Sequence, residues 1–178
     1  ALSEFRVTLE LALRDHPVVQ LNRFISDFEL KTGQKGLRGQ YRYRLFATLQ
    51  DPRSGAQVVF YPDAVVILSG RVAHADRKRL FFVEIDRGTE NLTVLRQKLR
   101  GYELAAAGRM HSKFGVTSAF RLLVQVPSAS RRDSLLKAFS DHPLAREVWV
   151  SIASARVRRA ILNSVWSMSL RLRAVCSA

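Results

Sequence analysis

The sequences AQVVFYPDAVVILSG at residues 56–70 and RLFFVEID at residues 79–86 decide the fold. Both are apolar runs with the length and composition of buried strands, and Asp63 interrupts the first of them. Side chains alternate between the two faces of a strand, so residues two apart share a face. Glu84 and Asp86 therefore lie on the same side of an otherwise apolar strand. Two carboxylates in that position are costly to bury unless something compensates for them.

Helical and strand patterns alternate on both sides of this pair. The spacing of apolar residues predicts helices at residues 2–14, 92–108 and 130–139, and strands at residues 23–30, 120–126, 147–153 and 165–173. Residues 31–44 have the composition of a loop or a loose hairpin, and residues 51–55 that of a turn. This order predicts a three-layer α/β fold with a central mixed sheet flanked by helices. The length of 178 residues suits one domain, residues 1–178.

Charge is the other outstanding property of the chain. Lysine and arginine total 29 against 15 acids, which gives a net charge of +14 and predicts a polyanionic partner such as DNA. A basic enzyme with no nucleic-acid role is the alternative. No apolar run approaches the roughly 20 residues of a membrane-spanning helix, and one cysteine excludes a disulfide framework. We therefore expect a cytoplasmic protein without a membrane partner.

Three carboxylates converge if the strands that carry Asp63 and Glu84 pair as a hairpin, because Asp86 shares the face of Glu84. Their mutual repulsion would raise their pKa values unless a cation lies between them. Mg²⁺ or Mn²⁺ would suit such a site, since hard divalent ions prefer carboxylate, water and phosphate oxygens. Lys98 and Tyr102 are four residues apart on the following helix, so they could reach the same pocket. The alternative is that nearby arginines form structural ion pairs with these acids.

Two basic segments are candidate DNA contacts. In the first, at residues 31–44, cations could contact phosphates and two tyrosines could stack on unpaired bases; these residues are Lys31, Lys35, Arg38, Arg42, Arg44, Tyr41 and Tyr43. The second is the cluster Arg156, Arg158 and Arg159, in a region with no acid after Glu147. The alternatives are a solvated loop for the first segment, and contact with a partner domain or simple solubility for the second.

Four short motifs in succession resemble the replication-relaxation family, which consists of proteins carried by plasmids and integrative elements. They are PDA at residues 62–64, VEIDRGTE at residues 83–90, QKLRGY at residues 97–102 and RLLVQVPSASRRDSLLKAF at residues 121–139. Family members usually carry a winged-helix DNA-binding domain ahead of this region. The resemblance therefore implies that this chain is the C-terminal part of a longer protein.

The C-terminal region of that family is similar to the PD-(D/E)XK nucleases, with a restriction-endonuclease-like fold. The resemblance implies that Asp63 and Glu84 bind Mg²⁺. Asp86 stands where the superfamily carries its lysine and would be a further ligand, while Lys98 is where a lysine displaced to the helix would lie. Tyr102 would support the site with Lys98, and Glu10 on the first helix is a weaker supporting candidate.

The function implied by this resemblance is a Mg²⁺-dependent DNA phosphodiesterase that nicks or cleaves DNA in plasmid or mobile-element replication or relaxation. The alternative is a catalytically inactive, nuclease-like module. Such a module would bind DNA, dock replication or mobilisation proteins, or form a homodimer.

Overall fold

The computed structural model describes residues 1–33, 36–72 and 75–152. Its helices are α1 (Leu2–Leu13), α2 (Leu92–Ala107) and α3 (Ala129–Phe139), with short 3₁₀ helices at Gly39–Arg42 and Met110–Phe114. Its strands are β1 (Val19–Ser26), β2 (Ala47–Gln50), β3 (Gln57–Phe60), β4 (Ala64–Val72), β5 (Ala75–Ile85), β6 (Arg121–Val126) and β7 (Val148–Ile152). The predicted strand at residues 165–173 lies outside the described residues.

Five strands form the central sheet in the order β1-β4-β5-β6-β7. The β1–β4 and β4–β5 pairs are antiparallel, whereas β6 runs parallel to both β5 and β7. Helix α1 covers one face of this mixed sheet, and α2 and α3 cover the other. The prediction of a three-layer α/β fold with a central mixed sheet is confirmed, and the architecture is consistent with a nuclease-like fold.

Each face of the sheet has its own hydrophobic core. Alternation along β5 sends Phe81 towards α1, where Phe5 and Leu9 pack on it, and sends Phe82 towards α2. There Leu99 contributes to a larger core that also takes in the apolar face of α3. The two β5 carboxylates, at even-numbered positions, belong to the face covered by α2 and α3.

The first strand lies earlier in the chain than predicted. β1 ends at Ser26, and the Asp27 side chain accepts a hydrogen bond from the Phe28 backbone N–H at 3.0 Å. This local bond turns the chain out of the sheet, because a short acidic side chain competes with strand pairing for the backbone donor. As a result Phe28 is 70% exposed, whereas a strand over residues 23–30 would have half-buried it.

A second, two-stranded sheet formed by β2 and β3 was not predicted, and it packs against α2. Gly101 allows this approach, because a Cβ atom at that position would come within 2.9 Å of the Val59 carbonyl oxygen. Arg100 donates two hydrogen bonds to the Asp51 carboxylate, at 2.9 and 2.6 Å, and lowers the pKa of Asp51 to about 2. The hairpin is thereby fixed to the helix, beside the carboxyl end of β5.

Candidate functional site

Asp63 and Glu84 are brought together by the pairing of β4 with β5. The ladder ends at the Ala64–Val83 pair, so Asp63 immediately precedes it. The Asp63 N–H donates to the Val83 carbonyl at 3.0 Å, and Asp63 Oδ2 accepts from the Ile85 N–H at 2.7 Å. Both chain neighbours of Glu84 are therefore hydrogen-bonded to Asp63. The predicted hairpin forms, and the two carboxylates line the same cleft.

Glu84 is buried, and α2 supplies two donors to its carboxylate. Tyr102 Oη donates to Oε1 at 2.5 Å, and Lys98 Nζ donates to Oε2 at 3.1 Å. Burial raises the pKa of Glu84 to about 7, since the stabilising charge of Lys98 is smaller than the desolvation cost and Asp63 adds repulsion. Burial also raises the pKa of Asp63, although the Ile85 N–H and Lys98 oppose it. The site holds more negative charge than its one lysine balances.

Lys98 lies between two carboxylates. Its ammonium donates to Glu84 at 3.1 Å and to Glu90 Oε1 at 3.0 Å, and its side chain is 37% exposed towards the cleft. Burial lowers the pKa of Lys98, but the two carboxylates outweigh burial and the net shift is upward. Glu90 precedes Asn91, the residue that caps α2, and is not in the first turn of the helix as its sequence position suggested. Lys98 therefore remains charged at neutral pH.

Asp86 is not part of this cluster. Its carboxylate is fully buried, pairs with the Arg131 guanidinium at 2.6 Å and accepts from the Gly88 N–H at 2.8 Å. Arg131 also donates to the Glu90 carbonyl oxygen, at 2.5 Å. Within residues 1–33, 36–72 and 75–152, no three acidic, histidine or cysteine side chains are grouped so as to hold a metal ion. The expected convergence of three carboxylates is not found, because α3 supplies an arginine that draws Asp86 away.

An open cleft of about 630 Å³ lies over the carboxylate pair. Its walls come from β3 and α2, and the residues that line it include Val59, Phe60, Tyr61, Asp63, Glu84, Val94, Gln97, Lys98 and Tyr102. The cleft has room for a phosphodiester group together with water. We refer to Asp63, Glu84, Lys98 and Tyr102 as the cleft cluster.

Glu10 does not reach the cleft cluster. It is exposed on α1 and pairs with Arg6 at 2.8 Å. Helix α1 packs against the Phe81 and Val83 face of the sheet, whereas Glu84 belongs to the opposite face. The sheet itself therefore separates Glu10 from the position proposed for it from the sequence.

The basic segment at residues 31–44 is folded and lies beside the cleft. Tyr43 stacks on Tyr61, a cleft residue, with ring centroids 6.2 Å apart. Arg42 lies over the Tyr43 ring at 5.0 Å and donates to its hydroxyl group at 2.9 Å. Arg44 pairs with Glu29 at 2.6 Å. Tyr43 and Arg44 thus have partners within the protein, which leaves the stacking and phosphate contacts predicted for them to other members of the segment.

The remaining predicted DNA contacts differ in their exposure. Arg38, Tyr41 and Arg42 are exposed, and Lys31 is half-buried. Lys35, Arg156, Arg158 and Arg159 lie outside the described residues. The sequence analysis missed Glu90, Arg131 and Tyr61. Tyr61 carried a usable signal, because it directly precedes the Pro62–Asp63 pair, but nothing in the local sequence links Arg131 to Asp86.

The fold and the cleft cluster define a class of protein: a three-layer α/β protein with a carboxylate pair and a lysine in an open, basic-rimmed cleft. The family model for replication-relaxation matches residues 1–119, about two thirds of the chain, and the chain belongs to that family. Two further comparisons, with curated proteins and with solved structures, returned no match. The match runs from α1 through α2 and includes every residue of the cleft cluster.

Membership of this family suggests a role in the replication or relaxation of plasmid or mobile-element DNA, with DNA or replication proteins as partners. The described helices include none that is both long and apolar enough to cross a membrane. The resemblance to the PD-(D/E)XK nucleases stays a prediction.

Proposed function

We propose that this protein is a metal-dependent DNA phosphodiesterase that acts in the replication or relaxation of plasmid or mobile-element DNA. One observation carries the proposal: Asp63 and Glu84, on neighbouring antiparallel strands, meet the ammonium group of Lys98 in an open cleft. Two carboxylates and a lysine are the groups that phosphodiester hydrolysis requires when a divalent ion assists it.

The chemistry of the donor set fits Mg²⁺ or Mn²⁺. A carboxylate has about four lone-pair positions, and Glu84 uses two of them while Asp63 uses one. Mg²⁺ is usually held by one or two carboxylates and keeps several waters, for which the cleft has room. When bound, the ion would polarise the scissile phosphate and lower the pKa of a bound water. Asp86, paired with Arg131, is left out of this ligand set.

The residues of α2 would orient the site. Tyr102 is buried, and its hydroxyl group holds one oxygen of Glu84, which fixes the direction of the carboxylate before any ligand arrives. Lys98 is held by Glu84 and Glu90 but is exposed enough to contact a phosphate in the cleft. A positioned ammonium would stabilise the charge that develops on the phosphate oxygens, which is typically the largest contribution to such catalysis.

Cleavage of supercoiled plasmid in the presence of Mg²⁺ tests the proposal. Asp63→Asn and Glu84→Gln should each reduce nicking by about 10²-fold or more, since each removes a charged ligand of the proposed ion. Glu10→Gln is the matched control, because Glu10 is an exposed acid on the opposite face, and it should nick as the unmodified protein does. Absence of Mg²⁺- or Mn²⁺-dependent cleavage on supercoiled, linear and single-stranded DNA would refute the proposal.

A non-catalytic DNA-binding module is the second candidate, and the Asp86–Arg131 pair favours it. Asp86 occupies the position at which the resembling nucleases carry their lysine, and Arg131 neutralises it. Both oxygens of Glu84 are also engaged by protein donors. In that case the protein should bind DNA without cleaving it, and Mg²⁺ should leave its melting temperature unchanged.

A further inference from the structure

Exposed apolar side chains are concentrated at the cleft end of the molecule. Nine large apolar residues among those described are exposed. Val59 and Val94 line the cleft, and four more belong to residues 28–41, namely Phe28, Leu30, Leu37 and Tyr41. Phe28 is 70% exposed, Tyr41 55% and Leu30 54%. Exposed apolar residues scattered singly need no explanation, but a cluster of them marks an interaction surface.

Backbone hydrogen bonds hold these residues in one segment beside Asp63. The Lys31 N–H donates to the Arg42 carbonyl at 2.8 Å, and the Arg44 N–H donates to the Glu29 carbonyl at 2.6 Å. The Asp27 N–H donates to the Asp63 carbonyl at 2.9 Å, so the segment starts at the cleft cluster. A folded segment that presents apolar side chains to solvent loses less conformational entropy on binding than a disordered loop would.

Cations are interleaved with the exposed rings. Lys31, Arg38 and Arg42 form no ion pair with any residue that the structure describes, and the acids nearby are already engaged. Arg44 binds Glu29, and the Asp27 carboxylate accepts from the Phe28 backbone. The segment is thus both apolar and positively charged. We call the described residues Phe28, Leu30, Lys31, Arg38, Tyr41 and Arg42 the platform.

We infer that the platform binds an unpaired DNA strand and leads it to the cleft cluster. Bases of a single strand expose their faces, which stack on aromatic side chains, while the phosphates meet lysine and arginine. The outside of a duplex offers phosphates but keeps its base faces stacked inside, so it would leave Phe28 and Tyr41 without partners. This inference names the substrate class of the proposed function and rests on it for the fate of the bound strand.

Binding measured without a divalent ion separates this inference from cleavage. Fluorescence anisotropy in EDTA would compare a 20-nucleotide strand, an oligo-dT, with a duplex of equal length. We expect tighter binding of the strand at equal salt concentration. Loss of one stacking ring typically weakens single-strand binding by about fivefold to 150-fold, so Phe28→Ala and Tyr41→Ala should each weaken binding of the strand within that range. Duplex binding should change less than about twofold, since phosphate contacts supply it.

Three control variants keep the test specific. Phe28→Tyr and Tyr41→Phe retain the rings and should bind the strand normally, which excludes a folding defect as the cause. Leu11→Ala removes an exposed apolar side chain from α1, on the far side of the sheet, and should change neither affinity. Strand binding that depends on the rings supports the inference whether or not Mg²⁺ later supports cleavage, so a failed nicking assay would refute only the proposed function.

Two results would overturn the inference. One is equal weakening of strand and duplex binding by the ring substitutions, or no weakening at all. The other is a change of oligomeric state, measured by light scattering, in the ring variants while strand affinity stays constant. That second result would assign the platform to contacts between copies of the protein.

Discussion

The two faces of the central sheet carry different kinds of side chain. Helix α1 contributes only hydrocarbon to its face, with Phe5, Leu9 and Leu13 buried against the strands. All four buried polar or charged residues of the described chain, Asp51, Glu84, Asp86 and His111, lie on the side of α2 and α3. Stability and polar chemistry are thus separated by the sheet, and substitutions on the two faces should have different consequences.

The largest effect on stability is expected on the α1 face. Leu9 is completely buried, and Leu9→Ala should lower the free energy of unfolding by about 3 kcal/mol through lost transfer energy and a cavity. Urea denaturation measures this, with the exposed Leu11→Ala as the control on the same helix. The folded fraction of the Leu9→Ala protein should retain its DNA affinity. A loss of affinity at full folding would show that the faces are coupled.

A nearly equal loss is expected where a charge is buried on the opposite face. Arg131→Met leaves the Asp86 carboxylate buried without its cation and should cost about 2–3 kcal/mol. Arg132→Met is the matched control, because Arg132 pairs with the exposed Asp133, and such pairs contribute at most about 1 kcal/mol. Adding Asp86→Asn to Arg131→Met should restore part of the loss. If the double variant is less stable than either single one, the ion pair is not the cause.

The hairpin and the faces of its strands could be predicted because their signals are local. Apolar runs and strict alternation placed Glu84 on one face of β5 and set Asp63 beside it once the strands paired. Lys98 and Tyr102 followed from helical spacing. The same local reasoning placed Asp86 with Glu84, correctly as regards the face but not as regards its partner.

Features that depend on distant residues could not be predicted. Asp86 and Arg131 are 45 residues apart, and a local pattern carries no information on such a pair. β2 and β3 are four residues each, too short for alternation to be recognised. The exclusion of Glu10 required knowing which face α1 covers, and this depends on packing rather than on the sequence of the helix itself.

The attachment of the β2–β3 hairpin to α2 gives a smaller expected effect. In an exposed helix, glycine to alanine stabilises by roughly 0.5–1 kcal/mol. At Gly101 the added Cβ would lie 2.9 Å from the Val59 carbonyl oxygen, so Gly101→Ala should instead destabilise by about 1–2 kcal/mol. Thermal melts measure the change, with Thr93→Ala, exposed on the same helix, as the control. A raised melting temperature would mean that the hairpin moves away freely.

The smallest effect on stability, and the most informative, is expected at Lys98. Lys98→Met keeps the apolar stem but removes the ammonium that balances Glu84 and Glu90. Breaking a fully buried pair would cost about 3–5 kcal/mol, but Lys98 is 37% exposed, so we expect about 1 kcal/mol without metal. Mg²⁺ should restore that loss by binding the folded state, while nicking still falls by about 10²-fold. Lys113→Met, an exposed lysine outside the cleft, should behave as the unmodified protein. If Lys98→Met leaves the metal-free melting temperature unchanged and only nicking falls, Lys98 acts on the phosphate alone. If the melting temperature falls and Mg²⁺ does not restore it, the carboxylate pair does not bind the ion, and the proposed active site would have to be abandoned.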